Sequence, residues 1–268
     1  MMTSSQIPMK IISLNRRPDR FEKCMAYARA AGIQNIQRLP AVDAKEFTVA
    51  AHKHPSISLL TAHNIQHNVR RSQYEIDHAG AIGCSLSHIN AWKECLQSQS
   101  NATIIFEDDA MIPPNFLTTL DSLLHILPPD WDMVTLTEDS SCIKQTETET
   151  ELYSCTGLTG SHAYLLSRKG AKTLLSRAFP IELHVDAYMA FMASTGNISM
   201  LWYPAINIKQ PFDDSDIFHG KRQILGVPTN LEQTNTLVIQ LQTVLSLMIL
   251  AGIAGGIISL ALFQFKRR

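Results

Sequence analysis

Three consecutive acids, Glu107, Asp108 and Asp109, close the apolar run from Ala102 to Phe106. An apolar run of that length reads as a buried strand, and in open α/β sheets ligands collect where such strands end. If the alternation of side chains continues past the strand, Glu107 and Asp109 point to one side and their carboxylates converge. Two converging carboxylates suit a hard divalent cation that bridges two phosphates, and such a cation neutralises the charge building on a departing diphosphate. A solvated acidic cap is the plainer reading of the same three residues. The elements around them decide between the two.

Those elements alternate. Lys10 to Leu14 reads as a strand, Pro18 to Ala31 as a helix closed by Gly32, and Ile36 to Leu39 as a strand stopped by Pro40, so the chain opens with a β-α-β unit. Residues 45–77 carry His, Asn and Gln without a clear period and read as irregular with short helical pieces. Ala79 to Gln97 has helical period, with Ile82, Leu86, Ile89 and Trp92 on one face. Pro113-Pro114 starts a helix through Ile126, and Asp132 to Leu136, Ser161 to Ser167 and Met200 to Tyr203 read as strands. Arg168 to Ala178 and Leu183 to Ala193 read as helices. The alternation predicts an α/β fold, a mixed sheet with flanking helices.

The 268 residues carry a formal charge of -1, so no global positive field holds nucleic acid, and nucleic acid is not expected as a partner. The five cysteines are scattered, without a CxxC pair, which argues against a structural zinc site or a dense disulfide framework. Cys142 and Cys155 flank the polar segment 146–151 and could pair, but no pairing is predicted. No signal-peptide pattern opens the chain. From Gln233 to Phe265 no charge occurs, and the apolar stretch is long enough to cross a hydrocarbon core of roughly 30 Å. The expected organisation is a catalytic domain over 1–225, a linker over 226–236, a single transmembrane helix over 237–265 and a basic tail over 266–268. That places the protein on a membrane, with lipid as a partner of the C-terminal helix and the side of the membrane open.

Five segments occur together in a particular order: Ile12 to Arg20, Ala41 to Asp43, Gly80 to His88 with Trp92, Phe106 to Asp109, and Gly160 to Ala171. In that order and spacing the chain resembles glycosyltransferase family 25, which includes bacterial lipooligosaccharide galactosyltransferases and procollagen galactosyltransferases. The resemblance runs from about Met9 to Ile217. It implies a GT-A-like fold, inverting transfer of a hexose from a UDP-sugar to a glycan, lipid-linked saccharide or protein hydroxyl, and dependence on Mn²⁺ or another divalent cation. A catalytically inactive binding or scaffold protein of the same fold is the alternative.

Carried over by position, Asn15, Arg17 and Arg20 lie in the first strand-to-helix loop where the nucleotide enters, and an arginine fork suits phosphate. Asp43 accepts hydrogen bonds from uracil or ribose, and Gly80, Gly83, Ser87 and His88 close over the donor. The resemblance makes Glu107 and Asp109 metal ligands, with Asp108 beside the donor and His219 completing the metal set. Asp186 is the implied base that deprotonates the acceptor hydroxyl, with His184 positioned to orient it. The family usually carries an acid after the first glycine of Gly80–His88 and another beside the base, where this chain has Ala81 and Ala187.

Overall fold

The structure, a computed structural model, describes residues 3–46, 56–137, 142–144 and 151–211. Strand β1 (Met9–Ser13) leads into helix α1 (Pro18–Ala30), with Pro18 in the first turn, where its missing N–H costs nothing. Strand β2 (Ile36–Pro40) follows, then helix α2 (Leu59–His67), helix α3 (Ala79–Gln97) and strand β3 (Ala102–Glu107). Helix α4 (Phe116–Ile126) and the short strands β4 (Met133–Thr135), β5 (Cys142–Lys144) and β6 (Tyr153–Cys155) come next. Strand β7 (Ala163–Ser167), helices α5 (Arg168–Ser176) and α6 (Val185–Ser194) and strand β8 (Met200–Trp202) complete the described elements.

The eight strands form one mixed sheet in the order β2-β1-β3-β7-β4-β8-β6-β5. Strands β2, β1 and β3 run parallel, with Ile12 opposite Leu39 on one side and Glu107 on the other. Their C-terminal ends therefore meet at one edge. Strand β7 runs antiparallel to β3, with Ala163 opposite Phe106, so the segment just before β7 arrives at the same edge.

Two apolar layers cover the sheet. On one face Ile12, Ile105, Tyr164 and Leu166 pack with Ile82, Ile89 and Trp92 of α3, Leu174 of α5 and Met189 of α6. On the other, Ile11, Ile104, Phe106 and Leu165 pack with Ala28 of α1 and with Phe116 and Leu120 of α4. The split follows the two-residue period of a strand, neighbours going to opposite faces.

Four points refine or correct the sequence reading. The run 45–77 contains a regular helix, α2, capped by Ser58, whose Oγ accepts from Thr61 N at 3.1 Å, and ended by Asn68 at φ 54°. Cys142 and Cys155 are disulfide-bonded partners across the β5–β6 ladder. Strand β3 stops at Glu107 and turns, with Ala110 N bonded to Glu107 O, so strand alternation does not extend to Asp109. The C-terminal transmembrane helix, and with it single-pass attachment to a membrane, is corrected. No helix among the described residues is long and apolar enough to cross one. The longest, α3, has the length but carries Lys93 and Glu94 and shares its apolar face with the core. Residues 212–268, to which the linker, anchor, basic tail and His219 belong, lie outside the described residues.

Candidate functional site

At the edge where β1, β2 and β3 end lies a cavity of about 370 Å³, within the size of small-molecule sites at roughly 300–1,000 Å³. Its wall brings together the turn after β1, the loop after β2, the first turns of α3 and the acids after β3. Eight of the candidate residues line it: Arg20, Asp43, Gly80, Ser87, His88, Glu107, Asp108 and Asp109.

The acids divide between two partners. Arg20, in the first turn of α1, places Nε 2.9 Å from Asp108 Oδ1 and Nη2 2.5 Å from Asp109 Oδ2. All three side chains are about nine-tenths buried, so this fork operates where water screens little. Gln210 Nε2 donates a second bond to Asp109 Oδ2 at 2.7 Å, while Asp109 Oδ1 is buried without a hydrogen-bond partner among the described residues. Glu107 takes other partners. Its Oε1 accepts the Ser161 hydroxyl at 2.6 Å and lies 3.3 Å from His88 Nε2.

These surroundings pull the carboxyls apart. Burial raises Asp109, the neighbouring Glu107 charge adds to it, and against Arg20 and Gln210 the group is pushed up to about 7. Burial also raises Glu107, but the neighbouring His88 and His162 rings and the Ser161 hydroxyl outweigh it and hold the group at about 2. Asp108 is raised by burial despite Arg20. One cavity thus holds a firm anion beside a carboxyl that trades its proton near neutrality.

Glycine and serine shape the floor. A Cβ on Gly83 would sit 2.6 Å from Val42 O, so only glycine lets α3 approach the loop after β2. Ser87 Oγ donates to Gly83 O at 2.7 Å and accepts from Val42 N at 2.8 Å, tying that loop to the helix. Asp43, on the same loop, accepts from Arg16 Nε at 2.6 Å and Lys45 N at 3.0 Å. Although burial opposes it, these contacts hold the Asp43 carboxyl below its ordinary range.

Other candidates sit elsewhere. Asn15 is exposed and outside the lining, and Arg17 pairs with Asp19, with Nη2 3.0 Å from Oδ2. Gly83 lies behind the wall it makes possible. Asp186 is half-buried, outside the lining, and accepts from Gly160 N at 3.0 Å and Ala187 N at 2.8 Å. Gly160, at φ +88°, takes a conformation that favours glycine, so Asp186 braces the loop that carries Ser161. His219 lies outside the described residues.

The sequence reading does not single out Arg16, Cys84, Ser161, His162 or Gln210. Four of the five fall inside the segments that carry the resemblance, which is the signal that points to them; Gln210 has none. Cys84, His88 and Glu107 bring one donor atom each within 4.8 Å of one another, a grouping compact enough for a cation. Burial pushes the Cys84 thiol well up, and the charges of Glu107, Asp186 and Asp109 reinforce it. A thiol so held is a poor ligand for a hard cation.

The sequence profile of "Glycosyltransferase family 25 (LPS biosynthesis protein)" matches residues 6–189, well over half the chain. The chain belongs to glycosyltransferase family 25. Among curated relatives, the human "Inactive glycosyltransferase 25 family member 3" is 28% identical over 192 residues, covering 68% of this chain and 31% of the relative. Human "Procollagen galactosyltransferase 2" is 23% identical over 215 residues, 77% of this chain and 32% of the relative. Xenopus laevis "Procollagen galactosyltransferase 1-A" is 32% identical over 130 residues, 45% of this chain and 21% of the relative. The chain thus spans about a third of the length of the first two relatives, and the family assignment bears out the resemblance carried by its five segments.

Proposed function

We propose that residues 1–225 form a GT-A-like domain that transfers a hexose, galactose or glucose, from a UDP-sugar to a glycan or protein hydroxyl. The observation that carries this reading is the buried Asp109 carboxylate, with one oxygen bonded and the other, Oδ1, without a partner among the described residues, at the edge where three parallel strands end. Family membership supports it, as do the galactosyltransferase names of two relatives.

A divalent cation such as Mn²⁺ fits Asp109 and Glu107, because hard oxygen donors suit it and Asp109 Oδ1 lacks a protein donor among the described residues. His219 is the proposed third ligand. When bound, the cation neutralises charge developing on the leaving UDP. The protein's own residues do the rest. Arg20 and Arg16 supply cationic groups at the cavity wall for the diphosphate, and Asp43 presents a carboxylate to the ribose or base. His88 and Ser161 keep Glu107 anionic and oriented. Asp186 is the proposed base, which requires the acceptor to reach beyond the cavity lining, and Asp186→Asn tests that role directly.

A second reading rests on Ala81 and Ala187. Ala81 is 2% exposed in the core, so the acid usual there is absent without a replacement at that position, and one relative carries the word inactive in its name. Under this reading the domain binds a nucleotide sugar and does not turn it over. The deciding experiment measures UDP release from a panel of UDP-sugars by the full chain with Mn²⁺. The transferase reading expects turnover that falls at least a hundredfold in Asp109→Ala, since removing a comparable electrostatic group costs about 10²–10³ in rate. UDP-sugar binding without release establishes the second reading, and neither binding nor release sinks both.

A further inference from the structure

Between α3 and β7 runs a line of polar side chains sealed from water: Trp92 and His88 are 0% exposed and Tyr164 is 1%. Trp92 Nε1 donates to the Tyr164 hydroxyl oxygen at 2.9 Å. That hydroxyl lies 2.8 Å from His88 Nδ1, and His88 Nε2 lies 3.3 Å from Glu107 Oε1. His88 Nε2 is buried and makes no well-aligned hydrogen bond among the described residues, so Glu107 is the group it faces.

The two ends of this line fix the protons within it. An indole N–H only donates, so Trp92 takes an acceptor position on the Tyr164 oxygen and leaves Tyr164 with its own proton to give. His88 Nδ1 is the acceptor placed to receive it. At the other end an ionised carboxylate only accepts, so a bare Nε2 would set one lone pair against another at 3.3 Å. The opposite tautomer fails twice, since it also strands the Tyr164 proton in a dry core. Both ends demand a proton on Nε2 and none on Nδ1.

We propose that Trp92 and Tyr164 are positioning residues that lock His88 as its Nε2–H tautomer, facing Glu107 Oε1 across the cavity wall. Two consequences follow. Glu107 Oε1 is occupied by His88 and Ser161 together, which fixes the carboxylate and leaves its second oxygen for a bound ligand. In that tautomer His88 offers the Cys84, His88 and Glu107 grouping a proton where a cation needs a lone pair, so a cation there would have to displace it. The functional half of this proposal rests on the transferase reading; the tautomer itself does not.

The test uses the full chain labelled with ¹⁵N-histidine, and the His88 resonances are identified by their loss in His88→Gln. Long-range ¹H–¹⁵N correlation spectra are expected to show the Nε2–H pattern, with Nδ1 shifted by an accepted hydrogen bond. In Tyr164→Phe, which keeps the ring and deletes the hydroxyl, Nδ1 moves to the position of an unbonded lone pair. That variant is also expected to lose about tenfold in kcat for UDP-sugar turnover, with KM within about twofold, as one positioning hydrogen bond of about 1.4 kcal/mol predicts. Phe116→Leu, in the opposite core layer, serves as the stability control and leaves kcat unchanged. An Nδ1–H pattern in the wild type overturns the proposal, as does a Tyr164→Phe variant whose His88 spectrum matches the wild type. Absence of turnover from every UDP-sugar defeats the transferase reading instead, and the spectra still decide the tautomer.

Discussion

Replacing Arg20 with methionine removes the guanidinium that bridges Asp108 and Asp109, while keeping a side chain of similar reach. The substitution breaks ion pairs of 2.9 Å and 2.5 Å between side chains only 13%, 9% and 12% exposed. Removing one member of a buried ion pair costs about 3–5 kcal/mol, because the partner charge stays buried without compensation. The second pair does not double this. Asp109 already sits near neutrality at about 7, and without Arg20 it takes up a proton instead of staying charged. At about 2–4 °C per kcal/mol for a domain of this size, Arg20→Met melts on the order of 10 °C below the wild type in EDTA.

A divalent cation would share the Asp109 carboxylate with Arg20, so Mn²⁺ is expected to stabilise the variant more than the wild type. Saturation at about a hundred times Kd returns about 2.7 kcal/mol, most of the deficit. Urea unfolding in EDTA and in Mn²⁺, on both proteins, measures this directly. A deficit below about 1 kcal/mol in EDTA would show that the fork does not compensate the acids. An equal Mn²⁺ shift in both proteins would refute the idea that Arg20 and the cation compete for Asp109.

Gly83→Ala puts a Cβ 2.6 Å from Val42 O, backbone that cannot step aside without moving the loop after β2. It is expected to cost about 1–3 kcal/mol and to weaken UDP binding, measured by urea unfolding and titration calorimetry. Glu75 accepts from Arg71 and Asn64, which hold its carboxyl below 4.5 although burial opposes them. As the pH falls below that value the unfolded chain takes up the proton first, so this stabilisation is present at neutrality and lost on acidification through the folded pKa. Glu75→Gln is therefore less stable at pH 7 and shows a shallower acid limb in a stability profile; a limb of unchanged slope would exclude the assignment. Thiol titration of the unfolded, unreduced protein is expected to find Cys24, Cys84 and Cys95 only, with Cys142 and Cys155 appearing after reduction. Closing a loop of this size contributes about 3 kcal/mol, so reductant should lower the melting temperature.

Local signals carry well into the fold. Helix α3 has the bounds its apolar period gives, and β1, α1 and β3 fall within a residue of theirs, because each combines a strong pattern with a clear stop. Helix α2 escapes that reading since its periodicity is weak, with Leu59 largely exposed, although Ser58 and Asn68 mark its ends in the sequence. Helix α4 begins at Phe116, because Pro113 to Asn115 form a turn. The site is legible in its residue types and opaque in its pairings. Arg20 and Asp109 are separated by 89 residues, and Tyr164 lies 76 from His88 and 72 from Trp92. Nothing local says which acid takes the arginine and which the histidine. That sorting arises where β3 stops, at Glu107, short of the extension to Asp109 that strand alternation requires.

Strand β7 enters the sheet against the direction of its neighbour β3, and this gives the chain an error-checking step. Tyr164 belongs to the α3 face of the core, while Ala163 and Leu165 belong to the opposite face. A slip of one residue would drive Tyr164 into the wrong layer and carry Ser161 about 3.3 Å along the strand, away from Glu107. Misthreading therefore cannot yield a well-packed domain with a spoiled site, since the same register that seats the core also seats the acid. A population that passes a folding assay has, by that fact, assembled this wall of its cavity.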